Sequence, residues 1–208
     1  MAELIWLVPA FPLLGVVING LLGRRYLRKR AHWVAVPAAG LAFGVALLIA
    51  LPVFRGHTLE GNLYPWVVAG DFQVPIGFLV DPLSTVMMLT VTFVGFLIHV
   101  YSIGYMHDDP GYPRFFVYMN LFMFAMLMLV LANNYLLLFL GWEGVGLCSY
   151  LLIGFWYEKK TATDAGNKAF LVNRVGDAGF LLGLFLLWTT FGTLEYGPLF
   201  AQTETLQA

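Results

Sequence analysis

The sequence predicts an all-α, polytopic membrane protein with six transmembrane helices. Three observations carry that reading. Of 208 residues, 60% are hydrophobic and only 11% are charged, where a soluble domain carries about 25% charged residues; the mean hydropathy is +0.80. Apolar runs recur six times, each near the ~20 residues a helix needs to cross the hydrocarbon core. The connections between them alternate between rich and poor in basic residues, the pattern of a chain that crosses a membrane repeatedly.

The runs cover 4–22, 32–54, 82–106, 113–132, 134–157 and 163–191. The first is not read as a cleaved signal peptide, because its positive cluster follows the apolar stretch instead of preceding it. Arg24, Arg25, Arg28, Lys29 and Arg30 lie between runs one and two, Arg114 between three and four, and Lys159 and Lys160 between five and six. Segments on the opposite side carry only Arg55. Cytoplasmic loops are the basic ones, so the N-terminus is expected outside.

Residues 55–81 form the one long connection. Tyr64–Val68 and Phe72–Val80 are β-prone with Ala69-Gly70-Asp71 between them, which predicts a short exposed hairpin whose pairing Pro65 and Pro75 limit. Asp81-Pro82 opens the third helix as N-cap and first helical residue. Only Asn133-Asn134 separates runs four and five, so those helices must be tight antiparallel neighbours. The single cysteine, Cys148, excludes an internal disulfide, offers no metal-ligand set, and reads as a packing residue. A net charge of −1 without a basic patch gives no sign of nucleic acid as a partner. His99 reads as a packing residue, as do Met119, Met123, Met126 and Met128.

Against this apolar background four charges stand out. Glu143 lies at the centre of the fifth run, and Lys168, Arg174 and Asp177 lie in the sixth. A charge at mid-bilayer costs roughly 2.5–3.5 kcal/mol on insertion scales, so it needs a partner or a function. Run five descends toward the inner face and run six returns from it. Lys168 is nine residues before Asp177, about 13 Å closer to the inner surface at 1.5 Å per residue. The charges thus form a ladder in depth, the layout of a half-channel. Each also has a purely structural reading: Arg174–Asp177 as an ion pair that fixes packing, and Lys168 as a snorkelling residue. Glu143 has no basic residue within four positions on its own helix, which makes a bland role hardest to assign. Burial favours a carboxylate's neutral form and a nearby cation its charged form. A Glu that gains or loses a neighbouring cation can therefore carry protons in steps.

The first half of run six is polar, with Asp164 and Lys168 spaced i,i+4 and Arg174 and Asp177 i,i+3. Lipid offers these groups no hydrogen bonds, so they are expected to face protein or water. Gly141, Gly144 and Cys148 on run five and Gly176, Gly179 and Gly183 on run six share an i, i+3, i+7 spacing. Such stripes permit close helix approach, and contact between them would bring the charges together.

The run Gly141 to Tyr157, followed by Lys168-Ala-Phe and Asn173-Arg-Val-Gly-Asp177, resembles the chain L subunits of respiratory complex I, NADH:quinone oxidoreductase. So do Val80-Asp-Pro-Leu-Ser84, Leu97-Ile-His-Val-Tyr-Ser102, Gly104-Tyr-Met106 and Arg114-Phe-Phe-Val-Tyr118. The resemblance implies an antiporter-like, proton-translocating membrane subunit of the respiratory electron-transport chain. Residues 1–107 would be its three leading helices with the outer loop, and 108–208 the start of its translocation module. Glu143 would match the essential fifth-helix glutamate, Arg174 and Asp177 the sixth-helix pair that tunes it, and Lys168 a basic position before them. The resemblance implies other complex I membrane-arm subunits and the lipid bilayer as partners, in a bacterial inner (plasma) membrane or an organellar inner membrane. No flavin, iron–sulfur or quinone site is visible in this chain, so FMN, the clusters and quinone are expected in partner subunits. Family members are much longer, and the seventh-helix lysine, the second half-channel and the lateral helix have no counterpart among these residues. The expectation is a fragment or split form, or one completed by another chain. The large subunit of an Mrp-type cation/proton antiporter and a non-pumping assembly scaffold are the alternatives.

The orientation is checked by thiol labelling. Cysteine at Asn62 is expected to react with an impermeant reagent from outside and cysteine at Lys29 is not; the opposite pattern would invert the topology.

Overall fold

A computed structural model describes residues 2–70 and 72–206. Six helices long and apolar enough to cross a membrane are present among them: α1 (Leu7–Leu22), α2 (His32–Val53), α3 (Pro82–Tyr105), α4 (Tyr112–Leu131), α5 (Tyr135–Ile153) and α6 (Lys160–Phe191). Between α2 and α3 lies the hairpin β1 (Leu59–Ala69) and β2 (Phe72–Val80), and a short helix α7 (Tyr196–Leu206) ends the described chain. The expected all-α membrane architecture is therefore present, with α7 as an element the apolar pattern did not announce. At 11 residues α7 is too short to span.

Local chemistry explains the element boundaries. Asp81 caps α3 in a capping box: its carboxylate accepts from the Ser84 N–H at 2.7 Å, and the Asp81 N–H donates to Ser84 Oγ at 2.8 Å. Asn134 caps α5 by accepting from the Leu137 N–H at 2.8 Å. Gly192, at φ +66°, closes α6 in the left-handed conformation that a side chain resists. After α1 the backbone loosens into a π-helical turn, Gly23–Leu27, and reverses through Arg28 at φ 45°.

The helices pack in a mostly sequential order, with α2 against α1 and α3 and with α4 against α1 and α5. Along α2 the buried face is Ala35, Ala38, Ala39, Ala42, Ala46 and Ala50. Small side chains at this spacing let helix backbones approach closely, which matters where lipid supplies no hydrophobic drive for association. The main core is built where α2, α3, α4 and the hairpin meet, around Ile49, Met88, Leu127, Leu131 and Phe78.

The hairpin is longer than expected, and β2 is not exposed. Val74, Phe78 and Val80 are buried, because β2 lies over one end of the bundle. Pro65 opposes Pro75, so two residues without N–H groups face each other and spare a donor elsewhere in the ladder. The register shifts on either side of Tyr64 and Pro65. The Asn133-Asn134 turn joins hairpin to bundle: Asn133 donates to Asn62 at 2.7 Å and to Glu60 at 3.1 Å, and Asn134 donates to the Pro75 carbonyl at 3.0 Å. The same turn accepts from the Tyr196 N–H, while the Tyr135 N–H donates to the Leu194 carbonyl.

The small-residue stripes do not meet. A Cβ at Gly141 would lie 2.5 Å from the Leu129 backbone nitrogen, and one at Gly144 2.9 Å from Ala125 Cβ; both neighbours belong to α4. Nothing lies within 4 Å of a Cβ at Gly176, Gly179 or Gly183. The two-residue turn forces α4 and α5 together, and the glycines of α5 serve that contact.

Gly141→Ala must therefore push α4 and α5 apart, and a loss of about 1–3 kcal/mol is expected from overpacking. Gly146, where nothing lies within 4 Å, is the control. Thermal unfolding in detergent should show a lowered midpoint for Gly141→Ala and none for Gly146→Ala.

Candidate functional site

The strongest polar cluster inside the bundle lies between α5 and α6. Glu143 sits at the middle of α5, and Arg174 and Asp177 sit one turn apart near the middle of α6. Arg174 Nη1 is ion-paired with Glu143 Oε2, and its Nε lies 3.5 Å from Asp177 Oδ2. The second contact is electrostatic only, since Nε is buried without a hydrogen-bond partner. The Asp177 side chain is 7% exposed, Glu143 22% and Arg174 38%, so the acid at the back of the cluster is the most enclosed. One cation thus serves two carboxylates from two helices.

Trp142 completes the arrangement. Its indole N–H donates to Asp177 Oδ1 at 2.9 Å, so the two Asp177 oxygens face different partners. Aromatic rings hold the helices at the right separation: Phe139 and Trp142 of α5 meet Phe180 of α6, and Tyr150 meets Phe170. Phe170 also lies under the Arg174 guanidinium at 4.6 Å, a cation–π contact that keeps its planar head toward α5. Sequence reasoning missed Trp142 as a site residue. The available signal was an indole donor beside a membrane carboxylate, since a buried Trp N–H normally finds an acceptor.

Lys168 is not part of this cluster. Nine residues before Asp177, at about 100° per residue, it points to the opposite side of α6. It is exposed, and among the described residues it forms no ion pair. Asp164 pairs instead with Lys160, at 2.8 Å on the surface. Asn167 and Asn173 are exposed as well. The polar half of α6 is thus not buried as expected: only Arg174 and Asp177 turn inward, because α6 packs against α5 along one face and its other face is uncovered.

His99 is fully buried, as a packing residue should be, but only half satisfied. Nδ1 is 2.7 Å from the Gly95 carbonyl, and Nε2 has no partner. Asn120 donates to the Phe116 carbonyl at 3.0 Å.

Six apolar helices with an acid–base cluster between the fifth and sixth define a multi-pass membrane protein. Residues 66–116 match the family described as "NADH-Ubiquinone oxidoreductase (complex I), chain 5 N-terminus", and residues 132–207 match "NADH:quinone oxidoreductase/Mrp antiporter, TM". The chain is 48% identical over 200 residues to NADH-quinone oxidoreductase subunit L of Mycobacterium tuberculosis, covering 94% of this chain and 31% of that protein. It is 43% identical over 205 residues to subunit L of Neisseria meningitidis, covering 97% and 30%. Against NAD(P)H-quinone oxidoreductase chain 5 of Synechocystis the identity is 38%, over 98% of this chain. Among solved structures, a chain of the membrane-bound sulfane sulfur reductase, an archaeal respiratory membrane complex, shares the fold with a TM-score of 0.75 at 19% identity, over 95% of this chain and 39% of that one. The chain thus resembles the N-terminal third of complex I subunit L, and it spans about 30% of the length of the relatives it matches.

Removing one member of a buried ion cluster costs more than removing all of it, because the remaining charges lose their counter-ion. Arg174→Met alone is expected to destabilise by up to about 3–5 kcal/mol. Adding Glu143→Gln and Asp177→Asn should restore most of the loss. Detergent-solubilised unfolding of the single and triple variants checks this, and equal stability of the two would show that the charges do not depend on one another.

Proposed function

We propose that this chain is an N-terminal portion of the proton-translocating, antiporter-like subunit L of a respiratory NADH:quinone oxidoreductase. The observation that carries the reading is the sharing of Arg174 between Glu143 and Asp177 near the middle of α5 and α6. A cation held by two carboxylates can shift toward either. When it moves toward Asp177, Glu143 loses its counter-charge and takes up a proton more readily; when it returns, the proton is released. Asp177 is steadied for this by the Trp142 indole, which holds one oxygen while leaving the other toward the guanidinium.

On this reading Glu143 carries the proton, Arg174 is the movable counter-ion, and Asp177 tunes it. Lys168 serves on the other side of α6, toward a neighbour that covers that face. The exposed Lys168 supports such a neighbour, since polar groups at membrane depth need protein or water beside them. Quinone reduction, with FMN, iron–sulfur clusters and quinone, belongs to partner subunits of the membrane and peripheral arms. The protein would sit in a bacterial plasma membrane or organellar inner membrane with its N-terminus outside.

The second matched family also covers Mrp antiporters, so a cation/proton exchanger is the competing reading. Proton movement driven by NADH, and not by a sodium gradient, separates the two.

In the assembled complex, Glu143→Gln preserves size and hydrogen bonding but removes the titratable group. It is expected to reduce proton translocation coupled to quinone reduction while the complex still assembles. Asp177→Asn should act in the same direction but more weakly. Proton uptake into vesicles during NADH oxidation measures both, and normal pumping by assembled Glu143→Gln would favour a scaffold.

A further inference from the structure

The α1–α2, α3–α4 and α5–α6 connections lie at the same end of the bundle, and together they frame an open cavity of about 760 Å³. Five cations line it, Arg24, Arg28, Lys29, Arg114 and Lys159, against two acids, Asp109 and Glu158. The balance is 5 − 2, three positive charges in excess. None of the five cations is ion-paired among the described residues. The Asp109 carboxylate accepts from the Gly111 N–H at 2.7 Å and from the Trp156 indole at 2.8 Å, and its charge is already counted in that balance.

Arg114 occupies the floor. One Nη donates to the Phe155 carbonyl at 3.0 Å, and the guanidinium lies over the Phe155 and Tyr157 rings at 4.6 and 4.9 Å. Its Nε is sealed off without a hydrogen-bond partner, and no ion pair among the described residues offsets the guanidinium's charge. Arg28 is placed by an unusual backbone, φ 45° after a π-helical turn. A non-glycine residue held in that region is uncommon, and such conformations cluster at ligand clamps and functional sites. The rim is aromatic: Trp156 and Tyr157 are exposed there, and Trp33 and Tyr105 are exposed at the same end. Trp and Tyr gather at the level of lipid head groups.

We infer that this cavity binds a phosphate-bearing anion at the membrane face, and that its position favours an anionic phospholipid head group as the source. A guanidinium fork with free N–H groups matches phosphate oxygens, and the cavity lies within the ~300–1,000 Å³ range of ligand sites. Basic pockets among helix ends at a membrane face suit a head group of this charge. The inference needs only that the helices span a bilayer and is independent of the proton-transfer reading, because its readout is lipid binding.

The test is native mass spectrometry of the full purified chain in non-ionic detergent, titrated with phosphatidylglycerol and separately with phosphatidylcholine. Phosphatidylglycerol is expected to bind preferentially. Arg24→Gln with Lys29→Gln should weaken it by about twenty-five-fold, roughly fivefold for each cation removed. The charge-preserving pair Arg24→Lys with Lys29→Arg should bind like the parent, which separates lost charge from lost folding. Arg55→Gln, a cation outside the cavity, should have no effect. Displacement of the lipid by inorganic phosphate would assign the site to free phosphate; resistance to it assigns the site to the head group. Equal affinity for phosphatidylcholine, equal displacement by a polyglutamate peptide, or equal weakening by Arg55→Gln would each overturn the proposal.

Discussion

Lipid tails cannot hydrogen-bond, and the rest of the structure depends on that constraint. A polar group inside the hydrocarbon is stabilised only by a partner within the protein or by water. The ordinary cases are settled locally. Thr92, Ser102 and Ser149 return their hydroxyls to carbonyls one turn back, and Asn120 does the same with its amide. Asn19 reaches the Ala31 carbonyl at the start of α2. Charges cannot be settled in this way. Glu143 needs a cation, and its own helix supplies none, so a second helix must approach at that depth.

This need explains why α5 treats its two neighbours differently. Toward α4 it presents Gly141 and Gly144, and the backbones close until an added methyl group would collide with Leu129 or Ala125. No charged side chain fits in that seam. Toward α6 it presents Phe139, Trp142 and Tyr150, whose rings hold the helices far enough apart for a carboxylate and a guanidinium to lie between them. The close contact gives rigidity and the wider one gives room for chemistry. The proposed shift of the counter-ion between two acids would use both: fixed helices, and side chains with room between them.

The two ends of the bundle are also organised differently. At one end the Asn133-Asn134 turn ties together β1, β2, α5 and Tyr196 of α7 through hydrogen bonds of its side chains and backbone. The other end is open and cationic, with the 24–30 loop, Arg114 and Lys159 around a common cavity. A cationic face at one end and a closed polar lid at the other make the two ends of the bundle chemically unlike.

Much of this was legible in the sequence, because it depends on local properties. The length of each apolar run determined the six spans; Asp81-Pro82 determined where α3 begins; two residues between runs four and five determined that those helices are antiparallel neighbours. Counting helix rise placed Glu143, Arg174 and Asp177 at similar depth. The rotation of each helix about its axis was not legible. Spans that are apolar on all sides carry little periodic signal, and lipid is as hospitable to a leucine as another helix is. Only the packed structure shows that the glycines of α5 turn to α4, that Trp142 reaches Asp177, that Lys168 faces away from the cluster, and that one guanidinium is shared by two helices. Depth is a sum over residues along one chain, and it can be read from the sequence. Facing is decided by which neighbour fills which groove, and it exists only once the helices have packed.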